Sequence, residues 1–488
     1  MKRLLFVAGL AALSFVSVQA DATVVYFANG ALTGSAAGAG VDLSGLTGRL
    51  ENGQAANLLG GIGSGLAYAG GNTFIAVPDR GPNAVGYNAA IDNTTSYISR
   101  FQTMTLALTA NSGGGLPFTL TPTLTATTLL YSTDALNYGS GIGLGTKIDG
   151  TPLGSGAPAN NAAGVNYFTG RSDNYAAGTT SADPRNARFD PEGVRVSADG
   201  RSVFVSDEYG PYIRQFDRAT GALIKTIALP GNLAVANQSP VGDTEIAGNT
   251  SGRVANKGME GLAITPDGKT LVGIMQAALE QDPAGLLRIV TVDIASGATR
   301  EYAYKLSGGS GVSEIVAIND HQFLVDERDG KGLGDGSNAK VKQLYVIDIN
   351  GAADITTLSG TAAAAATPVG KSSKPFLDLV SALTAAGIPA SQIPAKIEGL
   401  AFGQDVSWNG STYHTLFVAN DNDFVAQTAG ANQFFVFGFQ DGDLPGYVAQ
   451  SIAAVPEPGS WALMIAGLGA VGGLLRRRRK SVAMSVDA

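Results

Sequence analysis

One arrangement of apolar and polar positions recurs along the chain: an apolar run opened by Glu-Gly, a polar turn, and a second apolar run closed by acidic residues. Two copies show it most fully, although the second ends in Gln276 where the others carry an acid. The first runs Glu192-Gly193-Val194-Arg195-Val196, turns at Asp199-Gly200, and continues Val203-Phe204-Val205-Ser206-Asp207-Glu208. The second runs Glu260-Gly261-Leu262-Ala263-Ile264, turns at Asp267-Gly268, and continues from Leu271 to Gln276. A third opens at Glu314, turns at Asn319-Asp320 and closes at Asp326-Glu327. A fourth runs from Glu398-Gly399 to Asn420-Asp421, and a fifth, with Ser64 in place of Glu, closes at Pro78-Asp79-Arg80. Short apolar runs bounded by Gly, Asn and Asp read as strand, turn, strand. Asp-Gly and Asn-Gly between such runs predict tight type I′ hairpins, whose central residues both need positive φ.

Two further apolar runs follow three of these pairs: 212–216 and 223–229, then 287–294 and 299–306, then 344–349 and 354–358. Four-stranded antiparallel meanders repeating every ~40–50 residues are the sequence signature of propeller blades. The expected fold is all-β, a β-propeller of four-stranded antiparallel blades. Five blades open near Ser64, Arg188, Gly258, Gly311 and Lys396. A sixth is expected from 23–27 and 41–46, with 434–439 closing the ring against an N-terminal strand. Six blades is the predicted count, with seven as the alternative. Residues 131–187 and 359–395 read as insertions, the second with a helix over 373–385.

Composition agrees with a turn-rich β protein: of 488 residues, 66 are Gly and 20 Pro, 44% are hydrophobic and 15% charged. A net charge of −8 argues against a nucleic-acid partner. The first 20 residues carry Lys2 and Arg3, an apolar stretch and Ala20, the pattern of a signal peptide cleaved by signal peptidase. Cysteine is absent, so an exported chain of this kind has no disulfide framework. At the other end, Val455-Pro456-Glu457-Pro458-Gly459 precedes an apolar stretch, 461–475, and Arg476-Arg477-Arg478-Arg479-Lys480. Fifteen helical residues reach about 22 Å, a marginal transmembrane span against a core of ~30 Å. The basic cluster behind it is a cytoplasmic stop signal. This order resembles the PEP-CTERM sorting signal of Gram-negative bacteria. The resemblance implies an exosortase as processing enzyme, transient membrane anchoring, delivery to the envelope or outside, and association with exopolysaccharide. The domain boundaries that follow are a signal peptide at 1–20, a propeller at 21–454, a sorting signal at 455–480 and a tail at 481–488.

Chemistry is expected where the repeats converge. The start of the first strand and the end of the second lie at the same end of a blade, so equivalent acids should ring one channel mouth. Glu192, Glu260, Glu314 and Glu398 open first strands; Asp79, Asp207, Glu208, Asp326, Glu327, Asp421 and Asp423 close second strands. So many carboxylates require cations, arginines or protons among them, and irregular oxygen-rich sites suit Ca²⁺ better than Mg²⁺. Basic residues accompany the acids at Arg80, Arg188, Lys257, Arg328 and Lys396, a combination suited to phosphate. With only two histidines, no cysteine and no Gly-x-Ser-x-Gly, a Ser-His nucleophile and the usual zinc patterns are disfavoured.

The phrases Pro78-Asp79-Arg80-Gly81-Pro82, Asp190-Pro191-Glu192-Gly193, Ser206-Asp207-Glu208-Tyr209-Gly210-Pro211, Lys257-Gly258-Met259-Glu260-Gly261, Asp326-Glu327-Arg328-Asp329, Lys396-Ile397-Glu398-Gly399 and Asn420-Asp421-Asn422-Asp423 resemble the phytase-like family described as having esterase-like activity. The resemblance spans about residues 60–440. It implies a propeller and, through relation to calcium-dependent propeller phytases, hydrolysis of a phosphate-ester substrate by water activated on Ca²⁺. The expected cation ligands are Asp79, Glu192, Asp207, Glu208, Glu260, Glu327, Glu398 and Asp421. Of these, Glu192, Asp207 and Glu260 are the expected catalytic groups, and Arg80, Arg188 and Arg328 the substrate contacts. The alternatives are a non-catalytic, calcium-stabilised surface or matrix propeller, and a metal-dependent carboxylester or lactone hydrolase.

Overall fold

The computed structural model describes residues 23–32, 34–35 and 38–453. The signal peptide at 1–20 and the sorting segment with its apolar stretch 461–475 lie outside the described residues. Among those described, no helix is long and apolar enough to cross a membrane.

The apolar runs become strands because each lies between two neighbouring blades and buries side chains against both. Blade 2 is the plainest case: Pro191–Val196, Ser202–Asp207, Tyr212–Asp217 and Leu223–Ala228 pair antiparallel in sequence order. Blade 1 consists of Gly65–Tyr68, Thr73–Val77, Arg100–Ala110 and Phe118–Leu129; blade 3 of Met259–Ile264, Thr270–Met275, Leu286–Asp293 and Thr299–Lys305. Blade 4 has Gly311–Ala317, Gln322–Arg328 and Lys342–Asp348, edged by the short strands Gly370–Lys371 and Leu377–Asp378. Blade 5 has Ile397–Phe402, Ser411–Asn420 and Asn432–Phe439, and its outermost strand is Val25–Leu32. The five inner strands touch in a closed ring, blade 5 meeting blade 1. Apolar layers fill each blade interface, for instance Phe27, Phe74, Phe417 and Phe434 between blades 5 and 1.

The propeller therefore has five blades, and the expected six, like the alternative of seven, is corrected. The N-terminal strand does not found a blade of its own. It pairs with Asn432–Phe439, from Val25 opposite Gly438 to Leu32 opposite Asn432, and so closes the ring by completing blade 5. Val41 makes only an isolated bridge to Leu58. Two smaller expectations are also corrected. Residues 354–358 form no strand: Ile355 N–H donates to Glu301 O (2.8 Å) on the outer strand of blade 3, leaving the edge of blade 4 to be completed from the 359–395 segment. The helix expected over 373–385 is limited to Leu379–Ala385, and another short one, Gly360–Ala365, precedes it in the segment. The hairpins are not type I′, because Gly200 (φ 71°) and Gly268 (φ 71°) are left-handed but the Asp before each is not. Gly200 N–H donates to Ser197 O (2.8 Å), a four-residue turn closed by glycine.

The Gly of Glu-Gly has a packing reason. A Cβ on Gly193 would lie 2.5 Å from Leu262 N, and one on Gly261 would lie 2.8 Å from Glu314 Cα. Inner strands of adjacent blades approach backbone to backbone there, and a side chain would push the ring open.

First strands run from one face of the ring to the other, so the turns that follow them mark the far face. That face is covered by the chain after Phe439. Val448 N–H donates to Ile318 O (2.8 Å), Gln450 Nε2 to Val196 O (3.2 Å) and Ala453 N–H to Ala198 O (2.9 Å). Thr23 N–H donates to Asp443 Oδ1 (2.7 Å). Both ends of the described chain thus leave from the face opposite the acids.

Candidate functional site

Strand register identifies which repeat positions are equivalent. Val194 lies opposite Val205, Leu262 opposite Gly273, Ile315 opposite Val325, Leu400 opposite Val418 and Leu66 opposite Ala76. Two residues before the first member of each pair stand Glu192, Glu260, Ser313, Glu398 and Ser64. Three residues after the second stand Glu208, Gln276, Arg328, Asp421 and Asp79. These two sets meet at the mouth. Gln276 Nε2 donates to Glu260 (2.7 Å), and Arg328 donates to Ser313 within its own blade, to Glu398 of blade 5 and to Glu260 of blade 3 (3.5 Å).

Two carboxylate triads result, each with oxygens within 4.8 Å of one another: Asp190, Glu192 and Glu208, and Asp79, Asp421 and Asp423. Lys396 Nζ lies 2.9 Å from Asp421 and 2.5 Å from Asp423, so the second triad already holds an ammonium. In the first, Arg80 reaches Asp190 at 2.5 Å, and Glu208 accepts from Gly258 N–H (2.7 Å). Glu192 is 6% exposed and its carboxylate accepts no hydrogen bond among the described residues.

Counting Glu260 and Glu398 with the triads, eight carboxylates at the mouth face Arg80, Arg328 and Lys396. The imbalance shows in their protonation. Burial, reinforced by repulsion from Glu260, Asp190 and Glu208, pushes Glu192 well above the carboxylate range. Burial and Asp421 do the same to Asp79. Glu208 and Glu260 are both raised, by burial first, and the neighbouring Glu208 charge adds to the rise of Glu260. Burial carries Glu398 to about 7 against the pull of Arg328 and Lys396. Burial also raises Asp421, but Lys396 outweighs it and holds this carboxyl low.

Of the predicted cation ligands, Asp79, Glu192, Glu208, Glu260, Glu398 and Asp421 are brought together. Asp207 and Glu327 are not. Each lies one residue short of the mouth position, and strand alternation turns its side chain into the blade. Asp207 accepts from Asp190 N–H (3.1 Å) and Tyr209 N–H (2.9 Å), with Arg214 4.0 Å away. It braces the backbone of Asp190 and does not join the carboxylate cluster at the mouth. Glu327 accepts from Tyr304 Oη (2.5 Å), Ser307 N–H (2.9 Å) and Gly308 N–H (2.9 Å), and pairs with Lys371. Glu314 is displaced too: it stands at the Gly193 position, below the mouth, with Arg195 3.1 Å away. Of the predicted substrate contacts, Arg80 and Arg328 are at the mouth. Arg188 lies in an adjoining pocket, bonded to Gln238 (2.8 Å) and Glu245 (3.4 Å). Lys257 is exposed and makes no ion pair among the described residues. Asp190 was missed as a site residue, although Asp-Pro-Glu-Gly carries it two residues before Glu192. Neither histidine is at the mouth; His414 contacts Asp405 (2.8 Å) and Asp441 (2.7 Å), and His321 contacts Asp348 (3.0 Å).

Fold and site together define a five-bladed propeller with an acid-rich, partly neutralised mouth. The chain belongs to the phytase-like family described as esterase-like activity of phytase, whose pattern matches residues 57–424. Residues 454–480 match the PEP-CTERM protein-sorting motif, which implies processing by an exosortase and marks an exported protein. An uncharacterized secreted protein of Arthroderma benhamiae is 32% identical over 257 residues, 47% of this chain; the chain spans about half the length of that relative, 46%. Two solved structures share 12% identity with it. A putative 6-phosphogluconolactonase from Bacteroides uniformis aligns over 76% of this chain and 83% of its own, with a TM-score of 0.29. The periplasmic gluconolactonase of Pseudomonas aeruginosa aligns over 85% and 98%, with a TM-score of 0.32. Likeness at that level does not bear on the substrate.

Proposed function

We propose that this protein is an exported Ca²⁺-dependent hydrolase of phosphate esters, working at the propeller mouth and released to the envelope or exterior of a Gram-negative bacterium after transient anchoring through 461–475. The observation that carries the reading is the Glu192 carboxylate: buried, without a hydrogen-bond donor among the described residues, and clustered with Asp190 and Glu208. Such a group needs a cation or a proton beside it. The donor set is all carboxylate oxygen on three chain segments, which suits a hard cation with irregular coordination.

Asp190, Glu192 and Glu208 would hold this ion, and Asp79 and Asp421 a second one when Lys396 moves aside. Bound Ca²⁺ supplies charge that offsets the ester oxygens and makes a coordinated water more acidic. Arg328 holds Glu260 and Glu398 in place from opposite sides of the mouth. Glu260, at one edge of the triad and raised by burial and by the neighbouring Glu208 carboxylate, would accept a proton from water and return one to a leaving oxygen. Arg80 reaches Asp190 from the same edge, where its free donors can meet a phosphoryl oxygen.

The test is turnover of myo-inositol hexakisphosphate, simple phosphomonoesters and carboxylesters by chelator-stripped and Ca²⁺-supplied protein. Phosphate release that requires Ca²⁺, and falls by about 10²-fold or more in Glu192→Gln, supports the reading. Calcium-dependent melting without turnover assigns a structural role instead. Cleavage of carboxylesters alone moves the activity to that class.

A further inference from the structure

The segment that covers the far face is fastened at its start by a histidine. His414 lies on Ser411–Asn420 of blade 5, and each of its ring nitrogens meets a carboxylate from a different stretch of chain. Nδ1 is 2.8 Å from Asp405, in the turn after the inner strand of blade 5; Nε2 is 2.7 Å from Asp441, just past the last strand of the ring. Aromatic rings complete the seat. Phe439 (5.3 Å) and Tyr447 (4.7 Å) pack tilted against the imidazole, and Phe402 packs against both of them (5.6 and 4.7 Å). Asp441 and Tyr447 belong to the covering segment, so His414 grips it at two points.

Hydrogen-bond chemistry decides the charge of the ring. Ionised carboxylates only accept, and a neutral imidazole offers one N–H and one lone pair. It can serve Asp405 or Asp441, but it then turns a lone pair toward the oxygen of the other. Only the imidazolium donates to both. Burial of the ring works against its proton, but the bonds to Asp441 and Asp405 outweigh burial and hold His414 above the ordinary histidine value of 6.5. The other titratable groups packed here, Tyr447 and Tyr68, are both raised, by burial first, and stay neutral. Exposure shows which partner yields when the proton leaves. The Asp441 side chain is 92% exposed and that of Asp405 46%, and the turn holding Asp405 is tied to its blade by Thr415 Oγ1, which donates to Gln404 O (2.7 Å). The covering segment is the looser member.

That segment is also the tether of the sorting signal. Pro456 follows Ala453 by three positions, so it can lie no further from it than about 10 Å of extended chain. Each residue of the segment that lifts off the far face adds about 3.4 Å to that reach. We propose that His414 is a pH-sensitive latch: its imidazolium closes the segment 440–453 on the far face, and loss of the ring proton loosens the segment and extends the reach of the sorting signal. The latch sits on the face opposite the acids and does not depend on any reaction at the mouth.

Amide hydrogen exchange of the intact chain from about pH 5.5 to about 8.5, corrected for the intrinsic pH dependence of exchange, reads the latch. Exchange within 440–453 speeds up by about threefold or more as His414 loses its proton. Because the chain has two histidines, His321→Gln leaves the His414 ring alone in a histidine-labelled NMR spectrum, and the midpoint of its titration matches that of exchange. Asp441→Asn separates charge from packing. A neutral imidazole then donates to Asp405 and accepts from the new amide, so the pH dependence of the segment disappears. A general loss of stability with rising pH would persist in that variant. Exchange of 440–453 that ignores pH in the wild type, midpoints that disagree, or a pH response that survives in Asp441→Asn overturns the proposal.

Discussion

The two ends of the channel bury charge in different ways. At the mouth, eight carboxylates meet three basic groups, and most of those carboxyls are pushed toward the protonated form. At the floor, Arg195 and Glu314 stand one to one, 3.1 Å apart. Arg195 also donates to Leu66 O (2.6 Å), Val194 O (2.5 Å) and Ile315 O (2.9 Å), tying blades 1, 2 and 4 together. Glu314 accepts from Leu262 N–H of blade 3 (3.0 Å). Beyond them lies a space of about 30 Å³, edged by Gln450 of the covering segment. Buried charge paired one to one and tied to the backbones of three blades is a staple. Unbalanced buried charge, kept at a cost to stability, is what a binding site looks like before its ligand arrives.

Breaking each end should therefore give opposite results, and this is the largest effect expected. Arg195→Met removes a buried cation and leaves the Glu314 carboxylate alone, at a cost of about 3–5 kcal/mol. Denaturant midpoints measure it, and activity of the surviving folded fraction stays near wild type. Glu192→Gln should do the reverse, abolishing Ca²⁺-dependent function while making the stripped protein more stable. A Glu192→Gln protein less stable than wild type under chelation would erase the distinction.

A smaller effect, spread over many groups, comes from pH. Asp207 and Glu314 sit at about 7 and Asp326 at about 8, against ordinary values of 3.8 for Asp and 4.5 for Glu, and burial is the first cause for each. Glu192, Asp79 and Glu260 are raised further. Between about pH 4 and 8 the folded chain binds more protons than the unfolded one, so stability is full at the acid end and falls as pH rises. Ca²⁺ favours the ionised mouth and should flatten that fall without touching the floor. Urea midpoints at pH 5 and pH 8, with and without Ca²⁺, give the four values needed; equal slopes in both series would mean that the mouth does not bind the ion.

What was legible in the chain follows from the same geometry. The Glu-Gly phrase reveals the inner strands because Gly193, Gly261 and Gly399 serve a local steric need that leaves a local mark. Six of the eight expected ligands converge for that reason. Glu327 and Asp207 were misread because a strand turns its side chains over at every residue, and only the cross-strand register tells Glu327 from Arg328. Glu314 was misread likewise: Ser313 occupies the Glu position of its blade. The blade count depended on where Val25–Leu32 pairs, a contact more than 400 residues away in sequence that no local pattern reports. Nor does any pattern show that Arg195 meets Glu314, or that His414 meets Asp441 of the covering segment.

The smallest effect lies between the two ends. Asp326 stands two residues before Arg328, where the other blades carry Ser206, Ile274, Ala419 and Val77. It is fully buried, and neither carboxylate oxygen has a hydrogen-bond partner among the described residues. Burial is the first cause of its rise to about 8, opposed by Arg328 and Lys342. By the balance argument Asp326 belongs with the mouth, as a buried acid held without a hydrogen-bond partner, although its position is that of an ordinary core residue. Asp326→Ala removes an unsatisfied acid and follows the pattern of the other blades. It should stabilise the fold by about 1–3 kcal/mol, with the gain growing from about pH 4 to 8 and level above, because over that range the unfolded wild-type chain has ionised Asp326 while the folded one still holds its proton. Thermal melting across pH measures it directly. A loss of stability in place of a gain would mean that Asp326 answers a cation inside the channel, and the boundary between mouth and floor would then move one layer down.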